Sequence, residues 1–128
     1  MARDISAYLS DIIDACNSIS SILVEVSIEA YVATREKRSA VEREFILIGE
    51  AASMLAKFWP DQFKRLSDGR KAIGFRNILT HNYASVDCET VYETALRDAP
   101  KLRIECFELL RESESVVKDS PEERSEAD

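Results

Sequence analysis

Residues 41–59, VEREFILIGEAASMLAKFW, contain the pattern that decides the fold of this chain. Apolar side chains recur there at steps of three and four residues, which predicts a long helix with one buried stripe. Pro60 follows directly and should end the helix, because proline cannot continue the backbone hydrogen bonding. The predicted core positions of this helix are Val41, Phe45, Ile48, Ala52, Leu55 and Trp59.

The same spacing recurs on both sides of this segment, over residues 5–26 and 87–110, and a shorter stripe that includes Ile78 lies between them. Pro100 lies inside the last stripe and should kink or divide that helix, while Asn82 suits a left-handed residue at a helix end. The chain has only three glycines and three prolines in 128 residues, which is little turn chemistry for short strands. The sequence therefore predicts an all-α fold, an antiparallel bundle of four main helices with a short connecting helix.

Charge divides the chain into two regions. The net charge is −7, of which residues 112–128 carry −5, and apolar content collapses after Arg111. A segment so charged and so poor in apolar side chains cannot bury enough surface to fold. We therefore expect one helical domain over residues 1–111, followed by an acidic, disordered tail over residues 112–128.

Cysteine usage and hydropathy bound the environment of the protein. Cys16, Cys88 and Cys106 are too widely spaced for a disulfide framework or a metal motif, which favours buried, reduced thiols. No continuous apolar run resembles a signal peptide or a membrane span. We expect a cytoplasmic protein with no metal ligands and no membrane association.

A cationic run, residues 57–76, precedes the most reactive part of the chain. Six basic side chains stand there against two acids, although the chain as a whole is acidic. Such a run is either a solvated surface or a patch that steers a phosphate-bearing ligand. Binding of such a ligand by a chain of this composition should be modest and sensitive to salt.

The segment RNILTHNY, residues 76–83, contains the only histidine of the chain. Arg76 supplies a guanidinium that can bind phosphate in a bidentate fork. His81 supplies an imidazole that titrates near neutral pH, and Asn77 shares its helical face four residues earlier. Together these side chains suggest chemistry on a phosphodiester, although a histidine that only caps a helix end is the alternative.

The spacing of Arg76 and His81 limits how they can cooperate. On an ideal helix, residues five apart are separated by about 140° around the axis and about 7.5 Å along it. They can serve one phosphate if the helix ends near His81, or they can converge with copies from a second subunit. Gly74 leaves a bare spot nearby, where a second helix or a phosphate could approach.

These residues resemble a known family, the HepT-like toxins of the HEPN superfamily. Arg76, His81 and Tyr83 form its Arg-x4-His-x-Tyr signature, and the sequence IGEA at residues 48–51 is similar to a segment of its preceding long helix. The similarity spans roughly residues 1–111. It implies a metal-independent endoribonuclease without a cofactor, which acts on RNA as a homodimer with its catalytic cleft at the subunit interface.

The resemblance also implies a partner. Such toxins belong to toxin–antitoxin modules and are usually encoded beside a minimal nucleotidyltransferase antitoxin, which silences them by transferring AMP to the tyrosine of the motif. Tyr83 holds that position here. Related proteins are described as substrate-binding partners of nucleotidyltransferases, so a non-catalytic helical partner of such an enzyme is the competing interpretation.

The residues suggest how RNA would be cleaved by its own 2′-hydroxyl. His81 would act as acid or base, Arg76 would bind the phosphate and stabilise developing charge, and Asn77 would orient either of them. One imidazole does not obviously serve as base and acid in the same step, which favours a dimer that supplies two. Glu50 would either pair with Arg76 and position its guanidinium or be an ordinary charge on a helix surface.

Overall fold

The computed structural model describes residues 3–118, with side chains as far as residue 115. Six α-helices make up this part of the chain, and no strand occurs in it. The predicted all-α bundle with four main helices is therefore confirmed. The long helices are α1 (Ile5–Leu23), α3 (Arg35–Phe58), α5 (Gly69–His81) and α6 (Cys88–Lys118), the short ones are α2 (Ile28–Ala33) and α4 (Pro60–Phe63), and a 3-10 turn (Tyr83–Ser85) follows α5.

Contacts between the long helices show that neighbours run antiparallel. Helix α1 packs between α3 and α6, while α3 packs between α1 and α5. The Tyr8 ring at the start of α1 lies 5.9 Å from the Trp59 ring at the end of α3. At the other end of α1, the Val26 carbonyl accepts a hydrogen bond of 2.8 Å from Tyr92, near the start of α6. Each contact joins the beginning of one helix to the end of its neighbour.

The core is built from the apolar stripes that the sequence predicts. The core positions predicted for α3 are buried, apart from the half-buried Trp59, and they form one cluster with the stripes of α1 and α6. Leu9, Ile12, Ala52 and Leu55 have no exposed surface at all. Burial of one large aliphatic side chain contributes about 1.5–3 kcal/mol, so these stripes provide most of the driving force for the bundle.

Helix α5 is covered less than the other long helices. Only Gly69 and Leu79 are buried in it, and Ile78, which we predicted to lie in the core, is 41% exposed. The reason is that α5 packs extensively on α3, whereas its contacts with α6 are few, so only a narrow stripe of its surface is covered. Most of the helix that carries the motif is therefore accessible.

The prediction for Asn82 and one of the two alternatives given for Pro100 are wrong. Asn82 is not left-handed, because its φ is −142°. Its N–H closes the last turn of α5 on the Ile78 carbonyl, and the chain passes directly into the 3-10 turn. Pro100 does not divide α6, which continues on both sides of it. Pro100 is exposed, while core residues before and after it pack on the same helix, α1.

The end of α6 also differs from our expectation. The helix continues past Arg111 to Lys118, so the disordered tail that we predicted does not begin at residue 112. Glutamate and lysine are good helix formers, and Glu112 is bound by Arg65. The remainder of the predicted tail, residues 119–128, lies outside the described residues. Within the described part of the chain, no helix is long and apolar enough to cross a membrane.

Candidate active site

A glycine sets the approach of α5 to α3. Gly49 is buried in α3, and a Cβ placed on it would lie 2.1 Å from the Cβ of Arg76 and 3.0 Å from the carbonyl oxygen of Ala72. The first distance is far shorter than a van der Waals contact, so only glycine allows this approach. Gly49 thereby positions Arg76 against α3.

The Arg76 guanidinium lies in a groove beside α1 and α3. Its Nη2 donates a hydrogen bond of 3.1 Å to Ser53 Oγ. Its Nε is buried and finds no hydrogen-bond partner among the described residues. An unpaired buried donor costs about 1–3 kcal/mol, so Arg76 retains a donor that an acceptor such as a phosphate oxygen could satisfy.

The groove beside Arg76 is acidic. It encloses about 740 Å³, and Arg3 at its edge is already paired with Asp11 at 2.8 Å. Burial raises the pKa of Glu44, which Arg43 partly offsets. The charged side chains that line the groove are Arg3, Asp11, Asp14, Glu44, Glu50 and Arg76. Carboxylates therefore outnumber guanidinium groups, and the groove of one chain does not by itself favour a polyanion.

Glu50 lines the same groove as Arg76 but does not pair with it. Glu50 is exposed, and no ion pair joins Arg76 to a carboxylate within residues 3–115. Ser53, three residues farther along α3, makes the contact that we had considered for Glu50. Of our two interpretations of Glu50, a charge on the helix surface fits this arrangement better.

His81 and Asn77 lie on the side of α5 that faces away from α3. Both are exposed, and Gly74 and Ile78 share that side; we call these four residues the outer face of α5. A Cβ placed on Gly74 would meet nothing within 4 Å. Gly74 and Ile78 also line a groove of about 450 Å³ with Val86. The outer face is therefore open and partly apolar next to the imidazole.

The two predicted catalytic groups consequently do not meet within one chain. Arg76 points into the groove at α3, whereas His81 at the end of α5 is exposed on the outer face. Their separation on the helix is the one that the sequence implies, about 140° and about 7.5 Å. Convergence of Arg76 and His81 on one phosphate stays a prediction that requires movement of Arg76 or a second copy.

Tyr83 is accessible but held by a buried carboxylate. Its side chain is 59% exposed, and its Oη donates a hydrogen bond of 3.1 Å to Glu42 Oε1, whereas Glu42 is only 7% exposed. This hydrogen bond and the charge of Glu42 raise the pKa of the Tyr83 phenol. Glu42 is not among the site residues that the sequence predicts. The available signal was its position seven residues before Gly49, which places both on the side of α3 that faces α5.

Two of the six basic side chains of the cationic run, Arg65 and Lys71, are bound to α6. Arg65 donates two hydrogen bonds to the Glu112 carboxylate, at 2.6 Å and 2.8 Å, and Lys71 pairs with Asp98. These bonds connect the start of α5 and the preceding loop to α6. Arg65 and Lys71 therefore act as a clamp between elements, and their charges are less available to a phosphate than those of unpaired cations.

The other reactive groups to consider are possible metal ligands and the three cysteines. The described residues contain no group of three or more His, Cys, Asp or Glu side chains that could hold a metal ion. Cys16, Cys88 and Cys106 are free thiols, of which the first and last are buried. Burial raises the pKa of Cys16 to about 12, so this thiol stays protonated at neutral pH.

The chain is similar to known proteins over most of its length. A Thermococcus cleftensis protein named "Probable ribonuclease HepT" is 32% identical over 114 residues, which cover 87% of this chain and 99% of that protein. Two Methanocaldococcus jannaschii proteins, each described as a candidate RNase, are 27% and 29% identical; the matches cover 80% and 94% of this chain and 94% and 97% of the relatives. No solved structure matches the chain significantly.

The family model described as ribonuclease HepT-like matches residues 12–109. That segment extends from α1 to the second half of α6 and includes Gly49, Arg76, His81 and Tyr83. The chain therefore belongs to the ribonuclease HepT-like family of the HEPN superfamily.

Proposed function

We propose that this protein is a metal-independent endoribonuclease toxin of a toxin–antitoxin module. One observation carries the proposal: Arg76, with an unsatisfied donor, and His81, with an exposed imidazole, both lie on α5 inside the family-matched segment. The names of the relatives support RNA as the substrate.

The proposed reaction uses the 2′-hydroxyl of RNA as the nucleophile. The protein then needs to supply only proton transfer and charge stabilisation. His81 transfers the proton, and Arg76 binds the phosphate and stabilises the charge that develops on it. Asn77 shares the outer face with His81 and orients the imidazole or the phosphate. No step of this scheme requires a metal ion or a cofactor.

A second copy of the chain would complete the site. A homodimer that joins the outer faces of two α5 helices would bring two imidazoles into one cleft, one as base and one as acid. Gly74 supports such an approach because it presents no side chain there, and Ile78 offers an apolar contact. Arg76 would reach the cleft by turning its long side chain away from Ser53.

Tyr83 is the proposed switch, and its modification is directly testable. Transfer of AMP from ATP by a minimal nucleotidyltransferase antitoxin would place bulk and negative charge two residues from His81, which opposes RNA entry. Wild-type protein incubated with ATP and a minimal nucleotidyltransferase antitoxin should gain the mass of AMP on Tyr83 and lose activity. Tyr83→Phe should gain none by mass spectrometry. An unmodified Tyr83 in the wild type would remove this part of the proposal.

A specific observation favours a second function. The acidic lining of the groove beside Arg76 and the net charge of −7 both oppose a polyanion. They suit a non-catalytic helical partner that holds or presents substrate to a nucleotidyltransferase. In that case Tyr83 would still contact the transferase, but RNA would not be cut.

RNA digestion separates the two functions. Wild-type protein should cleave a labelled RNA in the presence of a metal chelator, and His81→Ala should lower the rate by about 10²–10⁴-fold. Arg76→Ala should cost about 10²–10³-fold through the lost charge stabilisation. Arg70→Ala is the matched control, because it removes an exposed guanidinium from the same helix.

The outcomes exclude each other. Equal loss of RNA with all of these proteins would identify a contaminating nuclease. Absence of cleavage by the wild type, together with co-purification of a nucleotidyltransferase, would favour the second function.

A further inference from the structure

Glu42 is the only buried charged side chain among the described residues. A buried carboxylate is costly unless it is paired, and buried acids usually face a cation. Within residues 3–115, no ion pair involves Glu42. Its hydrogen bond comes instead from the phenol of Tyr83, at 3.1 Å. The fold therefore retains a carboxylate whose contact is with the oxygen that the proposed modification would change.

The surroundings of this pair leave the carboxylate available. Tyr31 lies close by, but its Oη is buried and has no hydrogen-bond partner among the described residues. Burial and the charge of Glu42 raise the pKa of Tyr31, so that phenol stays protonated. Arg38 lies one turn before Glu42 on α3, and its guanidinium donates a hydrogen bond to the Val32 carbonyl. Neither neighbour takes the place of Tyr83 at Glu42.

We propose that Glu42 positions Tyr83 and accepts its proton during nucleotidyl transfer, which rests on the modification of Tyr83 proposed above. The co-reactant is a nucleoside triphosphate held by the nucleotidyltransferase. Tyr83 Oη forms a bond to the α-phosphorus, and its proton passes to Glu42 Oε1. The bond between the α-phosphorus and the oxygen that bridges it to the β-phosphorus breaks, and pyrophosphate leaves. The protonated Glu42 then returns its proton to water.

The transfer needs such an acceptor because a phenol is a weak nucleophile at neutral pH. An ordinary tyrosine titrates near pH 10, and the hydrogen bond and charge of Glu42 raise the pKa of Tyr83 further. Very little phenolate is therefore present to attack. An adjacent base removes the need for prior ionisation, and the same hydrogen bond fixes the position of Oη while most of the ring remains exposed.

The substitution Glu42→Gln distinguishes this role from that of a nearby charge, because the two predict effects of opposite sign. If Glu42 only raises the pKa of Tyr83, its neutralisation increases the phenolate fraction and speeds modification. If Glu42 accepts the proton, its neutralisation slows modification, and we expect a loss of about tenfold or more, within the range of general base catalysis. Glu42→Asp keeps a carboxylate and should recover part of the rate.

Two assays measure the rate on full-length protein. One follows AMP on Tyr83 by mass spectrometry, with ATP and a minimal nucleotidyltransferase antitoxin. The other follows labelling of Tyr83 by a small aryl sulfonyl fluoride, which requires no partner protein. Tyr83→Phe sets the background, and Glu36→Gln is the matched control on the exposed start of α3. Far-UV circular dichroism and the unfolding midpoint confirm that each variant is folded.

Slower modification of Glu42→Gln in both assays, with partial recovery in Glu42→Asp, would support the proposal. Equal or faster modification of Glu42→Gln, with AMP still added to wild-type Tyr83, would overturn the role of Glu42 and leave the proposed function standing. No AMP on wild-type Tyr83 would overturn the modification itself, and with it the reaction that Glu42 is proposed to assist.

Discussion

The face of α5 that packs on α3, here called the inner face, and the outer face differ in their contacts with the rest of the chain. On the inner face, Gly49 admits Arg76 to close contact with α3, and Ser53 binds its guanidinium. On the outer face, a Cβ at Gly74 would meet nothing, and His81 is exposed. Both glycines lie within helices, yet only Gly49 has a neighbour that requires it. A helical glycine without a neighbour in its own chain suggests an approach from outside the chain.

The largest expected effect comes from blocking the outer face. Gly74→Trp should prevent two α5 helices from approaching and lower RNA cleavage by about 10²-fold or more, because one imidazole of the cleft is lost. The unfolding midpoint of the monomer should stay near that of the wild type, since nothing lies within 4 Å of a Cβ there. Light scattering and an RNA digestion measure the two effects. A dimeric, fully active Gly74→Trp protein would contradict the proposed interface.

The next effect tests the inner face. Gly49→Ala forces a methyl group into the space of the Arg76 side chain, so the helices must separate or Arg76 must move. Overpacking of this kind costs about 1–3 kcal/mol, and urea denaturation measures the loss. An unchanged free energy of unfolding would show that α3 and α5 approach each other less closely than the structure indicates.

The same substitution at the other glycine should have the opposite sign. Gly74→Ala removes backbone freedom from the unfolded chain and adds no clash, so it should stabilise the protein by about 0.5–1 kcal/mol. Denaturation at several protein concentrations measures the change and separates the fold from the assembly. A loss of stability, greatest at high concentration, would mean that a second chain covers Gly74 tightly.

The smallest effect concerns the clamp at the start of α5. Asp98→Asn should reduce stability by up to about 1 kcal/mol at neutral pH, because its partner Lys71 is exposed. Burial opposes its ionisation, but Lys71 and Arg97 lower the pKa of Asp98 overall. The contribution of ionised Asp98 to the free energy of unfolding is therefore present above the ordinary carboxylate pKa. It is lost as the pH falls through the lowered pKa of Asp98.

Denaturation curves of the wild type and Asp98→Asn should accordingly converge in acid. The KM for RNA should remain nearly unchanged, because Lys71 serves the clamp rather than the substrate. A marked rise in KM with unchanged stability would restore the interpretation of the cationic run as a steering patch.

Most of the helices could be predicted from the sequence because periodicity is a local property. The apolar stripes of α1, α3 and α6 indicate which side chains share a helix face, regardless of which other helix covers that face. The prediction failed where contacts with other helices decide whether a side chain is buried, as at Ile78, which lines a groove with Val86 and Thr90 and does not lie in the core. It also failed where a local hydrogen bond decides, as at Asn82, whose N–H closes the last turn of α5.

From the sequence, the candidate site could be predicted only as certain residue types at a certain spacing along the chain. Arg76, Asn77, His81 and Tyr83 stand out because few other residues bind phosphate, transfer protons or accept a nucleotidyl group. Glu42 could not be recognised in the same way, since it resembles any acid on a charged helix. Its importance arises from the register between α3 and the end of α5, which brings its carboxylate to 3.1 Å from Tyr83.

The amino-acid order alone determined the helical class, the positions of the long helices along the chain, and the chemical groups of the motif. Each of these depends on side chains that are near one another along the chain. Tertiary structure alone decided that Arg76 lies against Gly49, that Glu42 is buried beneath Tyr83, and that Arg65 and Lys71 are bound by α6. These contacts join residues far apart in sequence, and their distances depend on how closely whole helices pack.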